Sequence, residues 1–419
     1  MHEGSEKAKR IMEKEDRYGA NVYAKRPIVL ARGRGATLWD IDGVEYIDCT
    51  GGYGTCIVGY SHPEVVKAVN RQLRLLTSCH GYAYNETRAE LLELIAEISP
   101  KGLDKSFLSN SGAEAVECAL KLARKYTGKR KILAAIGGYH GKTIGSLSAT
   151  WNPKYRRGLE PLLEGVTHIP YGRVDDRVYG EVDDETAAII VEPIQGEGGV
   201  RIPPPDYLKA LRDLCDEKGV LLIFDEVQTG FGRTGKIFAC EHWNVAPDIL
   251  CAAKGWAGGL PIGITISSEE VMGSLGRGEH TSTYGGNPVV ASAALASIRV
   301  LLREKLHERA SRLGTYLLGK LKALESKYSI VREARGLGLM AALELRFDVY
   351  DVIMGAMERR ILVLDAGRNV VRLLPPLVIK KKQIDRVVQV LDELVEAKED
   401  GIRGKTARGD AQDIQPHGR

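Results

Sequence analysis

The sequence lacks the features that would place it in a membrane, outside the cell or on a nucleic acid. No apolar run approaches the roughly 20 residues that a membrane-spanning helix needs. The opening MHEGSEKAKRIMEKEDRYG is charged throughout and has no apolar core, so it does not read as a secretory signal peptide. The seven cysteines (Cys49, Cys56, Cys79, Cys118, Cys215, Cys240 and Cys251) form no CxxC pair and no framework spacing. They read as buried thiols of a reducing cytoplasm, neither disulfides nor metal ligands. Excess charge is also scarce: 59 Lys and Arg stand against 55 Asp and Glu, a net +4 with the basic residues scattered. That gives no argument for nucleic acid or a membrane surface as partner. Internal repeats and low-complexity linkers are missing as well. What remains is a cytoplasmic globular chain, and 419 residues exceed one ordinary core, so two lobes are expected.

The pattern that is present is of the α/β kind. Residues 6–17 form a charged helical lead-in, and ATLWDIDGVEYIDCTGG reads as a hairpin around Asp42-Gly43. HPEVVKAVNRQL and RAELLELIAEIS repeat apolar positions at helical spacing. From about Lys105 to Ala257 the short apolar strands KILAAI, AAIIVEP, VLLIFDE and DILCAAK alternate with helices. This alternation predicts a mostly parallel sheet covered on both faces. A long helical region is expected from Pro288 to Tyr328, followed by a smaller α+β lobe. The polar tail from Gly401 is expected to be disordered.

Within VLLIFDEVQTGFGRTG, a buried strand delivers Asp225 and Glu226 to a sheet edge. The carboxylate can meet a magnesium ion, as in a nucleotide hydrolase, or the ring nitrogen of an organic cofactor. The hydrolase needs a phosphate loop, and GGYHGKT offers one with the wrong spacing: the first glycine should stand where Ile136 is. SLSATWNP after it also lacks the long helix whose start would hold phosphate. Gly336-Leu-Gly338-Leu-Met-Ala341 fits a relaxed dinucleotide fingerprint, yet ALELRF behind it alternates like a strand. Nucleotide binding is thus a minor alternative.

A better phosphate cradle is LSNSGAEAVECALKLARKYTG, where backbone N–H groups at Ser111, Gly112 and Ala113 open a helix. About thirty residues beyond Asp225, the strand DILCAA ends in Lys254 before the glycine-rich GWAGGLPIG. Desolvation there would depress the lysine pKa and make it a useful nucleophile. A strand-end aspartate, a helix-start cradle and this lysine together match the needs of pyridoxal phosphate. The lysine forms the Schiff base, the aspartate keeps the pyridine nitrogen protonated and the helix start takes the phosphate.

The motifs SGAEA, GGYHGKT, VEPIQGEGG, FDEVQTGFGRTG, AAKGWAGGLPIG, HTSTYGGNP, RGLGLM and RLLPPLVI occur together and in order. With them the chain resembles the class III (ω-amino) aminotransferases of fold type I from about Tyr18 to Leu394. Within that class it looks most like the ornithine and acetylornithine aminotransferases. The resemblance implies a large, mostly parallel seven-stranded sheet domain over 76–305 and a small α+β domain over 306–400. Residues 1–75 would contribute to the small domain and 401–419 would be the tail. It also implies Lys254 as the Schiff-base and proton-shuttling lysine and phosphate binding by Ser111, Gly112 and Ala113. Tyr139 and Val227 would pack on the two ring faces, and Asp225 would pair with the ring nitrogen. Gln228 would bond the phenolic oxygen, and Glu192 would support from behind. Thr283 would reach the phosphate of a neighbouring subunit, making a homodimer the working unit, with pairing into tetramers left open. For substrates it implies Tyr23, Tyr53, Lys142, Glu197 and Arg372.

Most of these positions also have plain structural readings. His140 reads as a satisfied loop histidine and Glu226 as a supporting acid. Lys142 departs from the family pattern, which has arginine there, and loses the fork that grips a carboxylate. The expected reaction carries the terminal amine of an ornithine-type donor (ornithine or N-acetylornithine) to 2-oxoglutarate, giving a semialdehyde and glutamate. A 4-aminobutyrate donor and a carrier-linked donor remain alternatives, as does a racemase on the same scaffold. No metal, nucleic acid or membrane partner is expected.

Overall fold

The computed structural model describes residues 4–407. Its largest sheet has seven strands, ordered Lys105–Ser109, Gly263–Ser267, Ile249–Ala253, Leu221–Asp225, Thr186–Val191, Lys131–Ala135 and Val166–Ile169. Gly263–Ser267 runs opposite to the other six strands, which share one direction. The four expected strands form the centre of this sheet and are buried along almost their whole length, as strands covered on both faces must be. The other three carry fewer consecutive apolar residues. KSFLS and VTHI lie at the two edges, and polar Thr265 and Ser267 interrupt GITIS.

The helix Gly112–Thr127 lies against this sheet through Ala115, Val116, Ala119, Leu120, Leu122 and Ala123, all buried. At about 25 cal/mol per Å² of apolar surface removed from water, such a face adds several kcal/mol. The same packing fixes where the helix start points. Ser111 caps it by accepting from the Glu114 N–H at 3.2 Å.

A four-stranded sheet joins the two ends of the chain. The expected hairpin, Thr37–Asp40 with Glu45–Asp48, pairs on one side with Leu30–Arg34 and on the other with the distant Ile361–Leu362. A second four-stranded sheet is built from Val331–Leu337, Met340–Leu345, Val370–Leu373 and Leu364–Asp365. The glycine-rich decoy is therefore a strand turn: Gly338 takes φ +57° between two antiparallel strands, and no helix follows.

The helical region expected from Pro288 to Tyr328 is present as two helices, Pro288–Arg303 and Leu306–Lys327, with a break at Lys305, φ +48°. One expectation needs correction. The last helix spans Lys381–Ala407, so helix continues past Gly401, where a disordered tail was expected. Its apolar face at Ile384, Val387, Val388, Leu391 and Val395 packs into the core, and no proline interrupts IRGKTA, where Gly404 lowers the propensity without ending the helix. Residues 408–419 lie outside the described part. Among the described residues no helix is long and apolar enough to cross a membrane.

Candidate active site

Strand ends and loops on one side of the large sheet enclose a cavity of about 470 Å³. Ser111, Gly112, Ala113, Tyr139, Lys142, Glu192, Glu197, Asp225, Val227, Gln228 and Lys254 all line it. The sequence thus brings most of its candidates together from segments far apart in the chain. Arg372 is fully buried directly behind Glu197. Tyr23 and Tyr53 stay exposed outside this lining, as does Thr283. Ala24, Lys25 and Arg26, next to Tyr23, instead line a wider cavity of about 700 Å³ that shares Tyr139 and Glu197 with the first.

The anion end of the site is the start of helix Gly112–Thr127. Gly112 and Ala113 are its first residues and have no intrahelical acceptor for their N–H groups. A side chain at position 112 would meet Val227 at 2.7 Å, so only glycine leaves this cradle open. Aligned peptide dipoles add partial positive charge here.

Asp225 ends its strand buried. Its Oδ1 accepts from the Val227 N–H at 3.0 Å, and its Oδ2 lies 2.8 Å from His140 Nδ1. His140 Nε2 is buried without a hydrogen-bond partner. The histidine therefore faces Asp225 and is not a satisfied loop residue. Its neighbour Tyr139 took the attention in the sequence, and no local spacing links positions 140 and 225. Glu226 does behave as a supporting acid: buried, it accepts from the Ala239 and Cys240 N–H groups at 2.6 and 2.8 Å and from Thr229. Burial lifts its carboxyl to about 7.

Lys254 follows the strand Ile249–Ala253 and adopts φ +54°, a left-handed conformation that costs a non-glycine residue roughly 1–3 kcal/mol. The turn Lys254–Ala257 imposes that conformation, with Gly255, Trp256 and Ala257 all buried. Desolvation pulls the lysine pKa below 10.5. Glu197 opposes that shift, and Arg372 reinforces it. Glu192 accepts from the N–H groups of Tyr139 and Gly196, both at 2.9 Å. Burial first, and then Asp225 nearby, raises its carboxyl to about 7.

Glu197 and Arg372 form the site's ion pair, with Arg372 Nη1 2.7 Å from Glu197 Oε1 and 3.2 Å from Gln228 Oε1. Burial alone would raise the Glu197 carboxyl, but the Arg372 guanidinium holds it below the usual range. Arg372 Nε and Nη2 are buried with no partner. Beyond the pair, Tyr139 and Tyr155 meet edge-on at 5.5 Å, and Lys142 Nζ sits 5.1 Å from the Tyr155 ring centre.

An anion cradle, a buried carboxylate, a desolvated lysine and a cavity lined by Tyr139 and Val227 fit a phosphate-bearing pyridine aldehyde. Pyridoxal phosphate is such a molecule.

The known proteins agree with this chemistry. The Aminotransferase class-III family model matches residues 18–395. An acetylornithine aminotransferase of Methanopyrus kandleri is 47% identical over 384 residues, covering 91% of this chain and 98% of the relative. A [LysW]-aminoadipate semialdehyde transaminase of Deinococcus radiodurans is 44% identical over 91% of this chain and 89% of its own length. The ornithine aminotransferase of Toxoplasma gondii superposes with a TM-score of 0.90 at 36% identity, covering 94% of this chain and 96% of that one. In that structure PLP partly occupies the active site. This chain belongs to the class III aminotransferases, a pyridoxal-phosphate-dependent family.

Proposed function

We propose that this enzyme moves the terminal amine of an ornithine-type donor, ornithine or N-acetylornithine, to 2-oxoglutarate. The observation that carries the reading is Arg372, fully buried, masked by Glu197 at 2.7 Å and still holding two unpartnered donor nitrogens. A diamino acid reacting through its terminal amine keeps its α-carboxylate far from the reacting carbon. Glutamate and 2-oxoglutarate bring a carboxylate close to it. An arginine cannot be switched off by deprotonation, so one pocket serving both substrates needs a mask that can leave. Glu197 masks Arg372 for the donor and yields to the carboxylate of the acceptor.

Bound pyridoxal phosphate supplies the electron sink that stabilises negative charge on the substrate carbon. The N–H groups at Ser111, Gly112 and Ala113 would hold its phosphate, while Tyr139 and Val227 flank the ring. Asp225 would face the ring nitrogen with Glu192 behind, and Gln228 the phenolic oxygen. Lys254, whose amine burial pulls toward its neutral form, would take the proton from the substrate carbon on its Nζ. Lys142, with Tyr23 and Tyr53, would meet the donor's distal carboxylate. Thr283, exposed away from its own pocket, would reach a neighbouring subunit's phosphate in a homodimer. The divisions at residues 75 and 305 are part of this reading, with the small domain running on into the helix Lys381–Ala407, and the pairing of Ile361–Leu362 with Glu45–Asp48 supports the N-terminal contribution to that domain.

A carrier-linked or otherwise enlarged donor is the second reading. The wider cavity favours it, because it adds room beyond Tyr139 in which Lys25, Arg26, Lys154, Arg201 and Arg368 outnumber Glu197, Asp348 and Asp365. The test is a donor screen with 2-oxoglutarate as acceptor, comparing ornithine, N-acetylornithine, acetyl-lysine, 4-aminobutyrate and an ornithine linked through its α-amine to an acidic peptide. Glutamate formation with the first two supports the main reading, and a strong preference for the peptide-linked donor favours the second. Turnover of an amino acid that is indifferent to 2-oxoglutarate would indicate a racemase and sink both.

A further inference from the structure

Arg335 lies in the sheet row that also carries Arg372. Arg335 pairs with Ala342 across one strand boundary, and Ala342 pairs with Arg372 across the next. Directly paired residues share a face of a sheet, so both arginines stand on the same face with a small residue between them. The turn Gly196–Val200 sits on that face. Glu197 takes Arg372 at one end of the turn. At the other end Arg335 Nε donates to the carbonyls of Gly199 (3.0 Å) and Val200 (3.1 Å), and its Nη2 donates to Gly199 at 2.6 Å. Buried Glu344 holds Arg335 in turn, accepting from Nη1 at 2.6 Å.

The turn needs holding. Val200 adopts φ +53°, which a β-branched residue avoids because its Cβ crowds its own backbone. Its side chain is fully buried in one apolar cluster with Ala342, Met340, Leu364 and Val370, so the residue cannot rotate out without leaving that cluster. Gly196 N–H is tied to Glu192 at 2.9 Å. The Gly199 and Val200 N–H groups both donate to the Gly196 carbonyl, at 3.1 and 3.2 Å. Glu197 is thus suspended between two anchored backbone ends, and its side chain is the movable part.

We propose that Arg335 is a positioning residue for the exchange of carboxylates at Arg372: it fixes the backbone turn that presents Glu197, and so sets how easily a dicarboxylate displaces it. The inference rests on the reading of Arg372 as the acceptor's carboxylate site, masked by Glu197. Lysine at 335 keeps the positive charge beside Glu344 but has no planar fork to span two carbonyls and a carboxylate at once. The strained turn then relaxes, Glu197 loses its aim, and Arg372 is left easier to claim.

The test is calorimetric binding of glutarate, a dicarboxylate with no keto group to react, to the full chain loaded with pyridoxal phosphate. Glu197→Ala should tighten glutarate binding, and Arg335→Lys should tighten it by about fivefold, a usual size for coupling between residues of one network. The double variant should bind no better than Glu197→Ala alone, because Arg335 acts through Glu197. If Arg335→Lys leaves affinity unchanged or weakens it, or adds its full factor in the Glu197→Ala background, the proposal is wrong. If Glu197→Ala itself does not tighten binding, the masking reading has failed instead. Arg335→Gln serves in the same cycle should the lysine variant not fold. A measurement on the unaltered protein stands beside it. The Gly199 and Val200 amides should stay protected from hydrogen exchange when glutarate binds, and their deprotection would show that the whole turn moves and overturn the proposal.

Discussion

His140 Nδ1 lies 2.8 Å from Asp225 Oδ2, with both side chains buried at the floor of the cavity that Lys254 also lines. A histidine N–H donated to a carboxylate fixes the direction in which that carboxylate points. Asp225 has to be both charged and aimed if it is to keep a ring nitrogen protonated. His140→Asn should therefore retain cofactor yet slow the donor half-reaction by about one to two powers of ten, the worth of a charge-assisted hydrogen bond. Asp225→Asn should be slower still. Stopped-flow absorbance at single turnover measures both, and an unchanged rate in His140→Asn would make the contact merely structural.

The sequence disclosed what local pattern can carry. Asp225 and Lys254 stood out because continuous apolar runs deliver them to strand ends, and Ser111 because a helical period begins right after it. The His140–Asp225 contact spans 85 positions and the Glu197–Arg372 bond 175, and no local spacing records such a pairing. The first was missed, and the second entered only through family resemblance. Edge strands such as Val166–Ile169 were missed for a related reason, since partial exposure breaks up the apolar run. The last helix was underestimated because its polar end was weighed by composition, while its continuation depends on the packed turns before it.

Lys254 has its pKa pulled down chiefly by desolvation. A lowered value means that the neutral, nucleophilic amine is populated at lower pH than for an exposed lysine. In cofactor-free protein, the rate of covalent capture of added pyridoxal phosphate, trapped by borohydride, should rise with pH and level off below 10.5. Lys254→Ala should abolish the trapped product and cut transamination by several powers of ten. A capture rate still climbing at pH 10.5 would contradict the desolvation argument.

Glu197→Ala should split the two half-reactions. With Arg372 bare, the glutamate half-reaction should accelerate, while the terminal-amine half-reaction slows by about tenfold or more as donor is drawn in by its α-carboxylate. Some attack through the donor's α-amine should appear, detectable as the corresponding 2-keto acid. Equal slowing of both half-reactions would mean that Glu197 is scaffold.

Lys142 stands at the mouth of the cavity, exposed, with its ammonium 5.1 Å from the Tyr155 ring. Tyr155 in turn meets Tyr139 edge-on, which links the lysine to a residue lining the cavity. An ammonium over a half-buried ring at the surface gains about 1 kcal/mol, too little to hold it there against a carboxylate. A donor's distal carboxylate should therefore draw Lys142 off the ring. Arginine at this position can grip the same carboxylate through two parallel hydrogen bonds. Lys142→Arg should lower the KM for free ornithine by about two- to fivefold, and Lys142→Ala should raise it by about tenfold, the range of one exposed charge-assisted contact. The KM for 2-oxoglutarate should move less than twofold in either variant if, as proposed, its near carboxylate goes to Arg372. Steady-state kinetics with both substrates varied separates these constants, and parallel shifts in the two KM values would place Lys142 outside donor recognition.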